Sequence, residues 1–185
     1  CGLIPAVHAI GDHAVTVALD TFERLGIGGR MEHAQLVADA DLARFGTLGV
    51  VASVQPSHLL DDRDIAEHHW AGRTGRAFPL RALLDSGATL ALGSDAPVAP
   101  LDPWVTMAAA VYRTRDGREA WHGEQAITVD EALAASADGR SAVSVGDVAD
   151  LAILDGDPWS ADERALRTMP VAATLLGGRF THRTI

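Results

Sequence analysis

The sequence predicts an α/β fold of parallel βα units followed by a small β element. Three observations carry this. Short apolar runs alternate with helical patterns up to about residue 140, the signature of right-handed βα units. The helical stretches close on glycine, as at Gly26, Gly49 and Gly87. From residue 141 onward the pattern changes to strand-like runs around Asp-Gly and Gly-Gly turns.

In chain order, "LIPAVH" (3–8) reads as a buried strand. The helix that follows carries Val15, Leu19 and Phe22 on one face, with Asp12 as its expected N-cap. "RMEHAQ" (30–35) is a second strand, "DADLARFGTLG" a short helix and "VVASVQP" (50–56) a third strand. Residues 57–78 are polar, rich in His, Asp and Arg, and are expected to form a long functional loop. A helix over 79–86 precedes the fourth strand, "TLALG". "PWVTMAAAVYR" and "TVDEALAASAD" complete the helices, the second capped by Thr128. A full (β/α)₈ barrel needs roughly 250 residues, so four units fit either half a barrel or a small open sheet.

Composition narrows the function. The chain has 185 residues, 48% of them hydrophobic, so it folds. Its 25 acids against 15 bases give a net charge of -10, which argues against nucleic acid and anionic membrane as partners. Every base is Arg, which removes Schiff-base, P-loop and carboxylated-lysine chemistry. The single cysteine, Cys1, forms no intrachain disulfide. No run reaches transmembrane length, and a cytoplasmic location is expected. No Gly-rich strand-to-helix fingerprint supports a flavodoxin-like binding module.

In parallel α/β folds chemistry collects at the C-terminal ends of strands. There stand His8, His33, Gln55 with His58 just beyond, and Asp95. A lone histidine there is commonly structural, and Asp95 after Gly93-Ser94 reads alone as a turn or cap. Together, imidazoles and a carboxylate from separate strands suit a divalent ion such as zinc, with a carboxylate to take a proton from water. His13, His68, His69, His122 and His182 are expected at the surface, and the four tryptophans as packing anchors.

The runs "HAIGDHAV", "RMEHAQLV", "VVASVQPSHLLDD", "LLDSGATLALGSDAPVAPLDPW" and "VGDVADLAILDGDP" resemble the amidohydrolase superfamily. Within it they are similar to amidohydrolase family 3, the branch with N-substituted formamide deformylase-like enzymes. The resemblance implies an α/β fold: the C-terminal half (strands 5–8) of a (β/α)₈ TIM barrel plus the C-terminal strands of a small β-sandwich. Residues 1–140 would be the partial, catalytic half-barrel and 141–185 the sandwich segment. It also implies a metal-dependent hydrolase of C–N bonds in amide-type small molecules, with one or two divalent ions, zinc foremost. His8, His33 and Asp95 become metal ligands, and Asp95 also the general base. His58, Asp62 and Arg73 fall in matching segments and are candidates for the substrate pocket.

The family's strand-one H-x-H and strand-four bridging residue have no counterpart here. The expected partner is therefore the N-terminal half of the same polypeptide, and a homodimer is also considered. The alternative is an inactive truncated fragment or interaction module. The link before "ADL" is the compact "GRSAVSVGDV", expected as a shortened turn.

Overall fold

The computed structural model describes residues 2–140 and 142–184, so Cys1 lies outside the described residues. Four strands, β1 (Ala6–Ala9), β2 (Gly29–His33), β3 (Val50–Val54) and β4 (Leu90–Leu92), form one parallel sheet in sequence order. Around it lie α1 (Asp12–Leu25), α2 (Asp39–Leu48), α3 (Pro56–His69), α4 (Leu80–Asp85), α5 (Pro103–Tyr112) and α6 (Val129–Ser136). A second, antiparallel sheet joins β5 (Leu151–Leu154), β6 (Val171–Leu176) and β7 (Arg179–Arg183), with α7 (Glu163–Arg167) between β5 and β6.

The parallel register sorts the strand side chains into two faces. Val7, Met31, Ala52 and Leu90 lie in one row, and His8, Glu32, Ser53 and Ala91 in the next. The first row leads into the main core with Val15, Leu19, Phe22, Phe45, Leu83 and Met107 from the helices. The second row is polar: Gln55 and Arg30 reach Glu32, and Arg30 donates to Ser53. Leu166 and Met169, flanking the end of α7, join the main core, which ties the tail to the α/β layer.

Two expectations change. Gly11, not Asp12, is the N-cap of α1; Asp12 opens the helix and its carboxylate accepts from Arg73 and Arg76. Residues 57–78 are not a loop. Most of them form α3, entered through Pro56 at its first turn, and a 3₁₀ turn at Thr74–Arg76 follows. Leu59, Leu60 and Ala66 of α3 pack with Leu36, Phe78, Ala109 and Trp121 in a second cluster. Few apolar residues serve that face, so the helical period is faint in the sequence.

The Thr128 cap is present as a full capping box with Glu131. Glu131 also accepts from both terminal guanidinium nitrogens of Arg81, at 2.7 and 2.9 Å. The Arg81 hydrogen bonds come first among the causes that pull its pKa from 4.5 to about 2. A depressed carboxyl stabilises the fold fully above its unfolded pKa and loses that stabilisation as pH falls through the folded one. We expect wild type to lose stability between pH 4.5 and 2, and Glu131→Gln to flatten that window, by urea unfolding at each pH. Equal pH profiles would refute the assignment.

Gly46 sits inside α2, where alanine ordinarily gains about 1 kcal/mol. A Cβ there would lie 2.7 Å from the Gly87 carbonyl oxygen, a backbone atom with little freedom to yield. Gly46→Ala should therefore destabilise, by about 1–3 kcal/mol in chemical unfolding. A gain in stability would mean that the two segments separate at little cost.

Candidate metal centre

The C-terminal ends of β1, β2 and β4 bring His8, His33 and Asp95 to one edge of the sheet. His8 is exposed on edge strand β1, and its Nδ1 lies 2.8 Å from His33 Nε2. At that distance the two rings are hydrogen-bonded, and their tautomers decide which nitrogen donates.

His33 reaches His8 by breaking the strand pattern. By alternation it shares the face of Met31, toward the helices, whereas His8 shares the face of Glu32. His33 has φ 76 and the next residue, Ala34, φ 43. This left-handed kink ends the alternation at His33, and its ring meets His8 across the sheet face. Asp95, just past β4, is also left-handed, with φ 56.

His58, on the first turn of α3, completes the cluster. One ring nitrogen each of His33 and His58 and a carboxylate oxygen of Asp95 lie within 4.8 Å of one another. The His33 and His58 rings stack with centroids 6.1 Å apart, and His58 Nε2 stands 4.0 Å from Asp95 Oδ2. His33 and His58 are buried, while Asp95 is exposed. His33 Nδ1 and His58 Nε2 are buried without a hydrogen-bond partner. Leaving such an atom unpaired costs about 1–3 kcal/mol, so a ligand that pairs with it is stabilised accordingly. Imidazole nitrogens and a carboxylate oxygen are the donors a borderline divalent ion takes, so His33 and Asp95, with His8 beside His33, fit such an ion.

The remaining candidates part company. Asp62 lies one turn beyond His58 on α3, beside His58 and Gln35. Burial pushes its carboxyl above the ordinary range, against the opposing pull of His58 and Gln35. Arg73 instead holds Asp12, at 3.0 Å, with Arg76 on the same carboxylate. Gln35, whose amide lies 3.4 Å from His58 Nδ1, escaped sequence reasoning; its only signal was its place two residues after His33. His122 is half-buried between Glu67 and Glu124, not a free surface residue, and Trp159 is exposed rather than a packing anchor.

A parallel α/β sheet offering imidazoles and a carboxylate at its C-terminal strand ends has the architecture of a metal-dependent hydrolase. The chain belongs to the amidohydrolase family (amidohydrolase family 3), whose model matches residues 2–182. It is 36% identical to Protein LONG AFTER FAR-RED 3 of Arabidopsis thaliana over 96% of this chain and 34% of that protein. It is 28% identical to N-substituted formamide deformylase of Arthrobacter pascens over 96% of this chain and 36% of that enzyme. A solved structure, an uncharacterized metal-dependent hydrolase from Pyrococcus horikoshii, is 40% identical with a TM-score of 0.67, covering 72% of this chain and 28% of that one. The chain thus spans about a third of the length of the curated relatives it matches. Among the described residues, no helix is long and apolar enough to cross a membrane.

The left-handed backbone at Asp95 gives a stability test. Glycine adopts φ 56 freely, whereas other residues there store about 1–3 kcal/mol. Asp95→Gly should raise the unfolding free energy relative to Asp95→Ala by about 1 kcal/mol. Equal stability of the two variants would contradict strain at this position.

Proposed function

We propose that the chain carries the metal-binding and proton-handling part of an amidohydrolase barrel that hydrolyses a C–N bond in an amide- or formamide-like small molecule. The observation that carries this reading is the approach of His33 to Asp95 at the strand ends, with His33 Nδ1 buried and unpaired and His8 2.8 Å from the other His33 nitrogen. The Arthrobacter relative, an N-substituted formamide deformylase, adds the N-substituted formamide as a substrate type.

In this reading His8, His33 and Asp95 hold a divalent ion, zinc foremost. When bound, the ion polarises the scissile carbonyl and lowers the pKa of water toward neutrality. Asp95 accepts the proton of the attacking water and returns it to the amine nitrogen as the C–N bond breaks. Its carboxylate is exposed toward the mouth of the sheet, and the prolines at 97, 100 and 103 stiffen the segment behind it. His58 and Asp62 line the pocket beside it; Arg73, committed to Asp12, acts by fixing the start of α1.

The four strands are read as strands 5–8 of the barrel, with residues 141–185 as part of a small β-sandwich. Support comes from the open edge of β1. A groove of about 490 Å³ lined by Pro5, Val7, Val17, Phe22, Leu25 and Ile27 runs along β1 and α1. The occupant is the preceding βα unit of the same polypeptide. In the alternative reading, favoured by the same open edge, the isolated chain lacks turnover.

In the polypeptide that completes the barrel, Asp95→Asn should lower turnover of N-substituted formamides by about 10²–10⁴-fold while the circular-dichroism spectrum stays unchanged. An unaffected rate would remove Asp95 from the chemistry.

A further inference from the structure

His58 has two nitrogens with different surroundings. Nδ1 faces the Gln35 side-chain amide nitrogen at 3.4 Å. Nε2 is buried, unpartnered and 4.0 Å from Asp95 Oδ2. That gap is too long for a direct hydrogen bond and short enough for both groups to touch one substrate.

The Gln35 amide has a donor end and an acceptor end, and its orientation decides the tautomer of His58. The structure turns the amide nitrogen toward the ring, 3.4 Å from His58 Nδ1. An NH₂ group only donates, so Nδ1 must accept. A neutral imidazole with an accepting Nδ1 carries its proton on Nε2.

A metal-ligating nitrogen must be bare. We propose that His58 is not a metal ligand but the donor to the substrate carbonyl oxygen, with its Nε2–H fixed by Gln35. This rests on the hydrolase reading above. As water adds to the carbonyl carbon, negative charge gathers on that oxygen. The Nε2–H stabilises it by hydrogen bonding and keeps its proton throughout, while Asp95 carries the proton from water to the leaving nitrogen. Gln35 is a positioning residue, acting through His58 alone.

The tautomer is read directly in the ¹⁵N-labelled full chain by two-bond ¹⁵N–¹H correlation, with His58 identified by its absence in His58→Asn. The expected result is the Nε2–H form, without and with zinc. Gln35→Glu, nearly isosteric, presents only acceptors and should convert His58 to the Nδ1–H form. An Nδ1–H form in wild type, or loss of the Nε2–H signal on adding zinc, would overturn the proposal. So would retention of Nε2–H in Gln35→Glu. Zinc titration gives an independent arm: His58→Asn should leave affinity nearly unchanged, whereas a weakening of about tenfold or more would make His58 a ligand. If zinc does not bind the chain at all, the metal-centre reading fails, and the tautomer in metal-free protein still decides this one.

Discussion

The mouth of the sheet depends on the parallel register between β1 and β2. It sets His8 beside Glu32 and Ala9 beside His33. Slipping β1 by one residue would send Val7 to the polar face and His8 into the helix-facing core. Met31 and Ala52, both fully buried in the row of Val7, oppose that slip, because it would bury an imidazole beside them without partners. The polar face of Arg30, Glu32 and Ser53 opposes it equally, being already paired within itself. The hydrophobic pattern thus holds the register, and the register holds the chemistry at one edge.

His58 depends on a different support, because it rides on α3 and not on a strand. The segment after α5 lies along α3, pairing Arg115 with Asp61 and Arg118 with Asp64. Side chains in both pairs are more than 40% exposed, and such pairs contribute about 0–1 kcal/mol each. The larger share lies beneath them. Trp121 is buried against Phe78 with ring centroids 6.0 Å apart, and its indole donates to Glu67. Arg113 is fully buried and donates to the carbonyls of Trp121 and Phe78 at 2.7 and 3.1 Å. Burial lowers its pKa to about 10, so it remains charged near neutral pH. Removing that guanidinium would strand the Trp121 carbonyl and take one of two donors from the Phe78 carbonyl, which keeps the Leu80 N–H, a greater loss than breaking either surface pair.

The strands and most of the helices were legible because their signals are local. Apolar rows mark β1 to β4, Gly26 and Gly49 take left-handed caps, and Thr128 closes a capping box. The helix α3 was hidden because its face is spread over Leu59, Leu60 and Ala66 among charged neighbours. Pro56 straight after a strand was the available hint, since proline favours the first helical turn. At the site, His8, His33 and Asp95 were legible as chemistry at strand ends. The left-handed turn at His33, the buried neighbourhood of His58 and the amide of Gln35 were not, because each arises from contacts between distant segments. The same is true of Arg113: nothing local tells a buried arginine from an exposed one.

What the sheet leaves unsatisfied indicates what kind of neighbour it suits. A parallel sheet is ordinarily covered on both faces. Here the face away from the helices is polar and internally paired, so it does not call for an apolar layer. A run of exposed apolar side chains lies instead at Leu3, Ile4, Val7, Ile10, Val17, Leu25 and Ile27, along β1, α1 and their ends, while others are spread over α3, the segment after β4 and the tail. Burying a side chain of this kind contributes about 1.5–3 kcal/mol, so a neighbour along that edge gains far more than one against the polar face. A second sheet packed face to face would bury Arg30 and Glu32 instead, at a cost that their 3.5 Å contact does not offset. A lateral strand and helix, continuing the parallel order beside β1, satisfies the apolar groove and the free strand edge together. It would also place its own strand end next to His8, the most exposed of the histidines at the mouth and so the one with most to gain from a further neighbour.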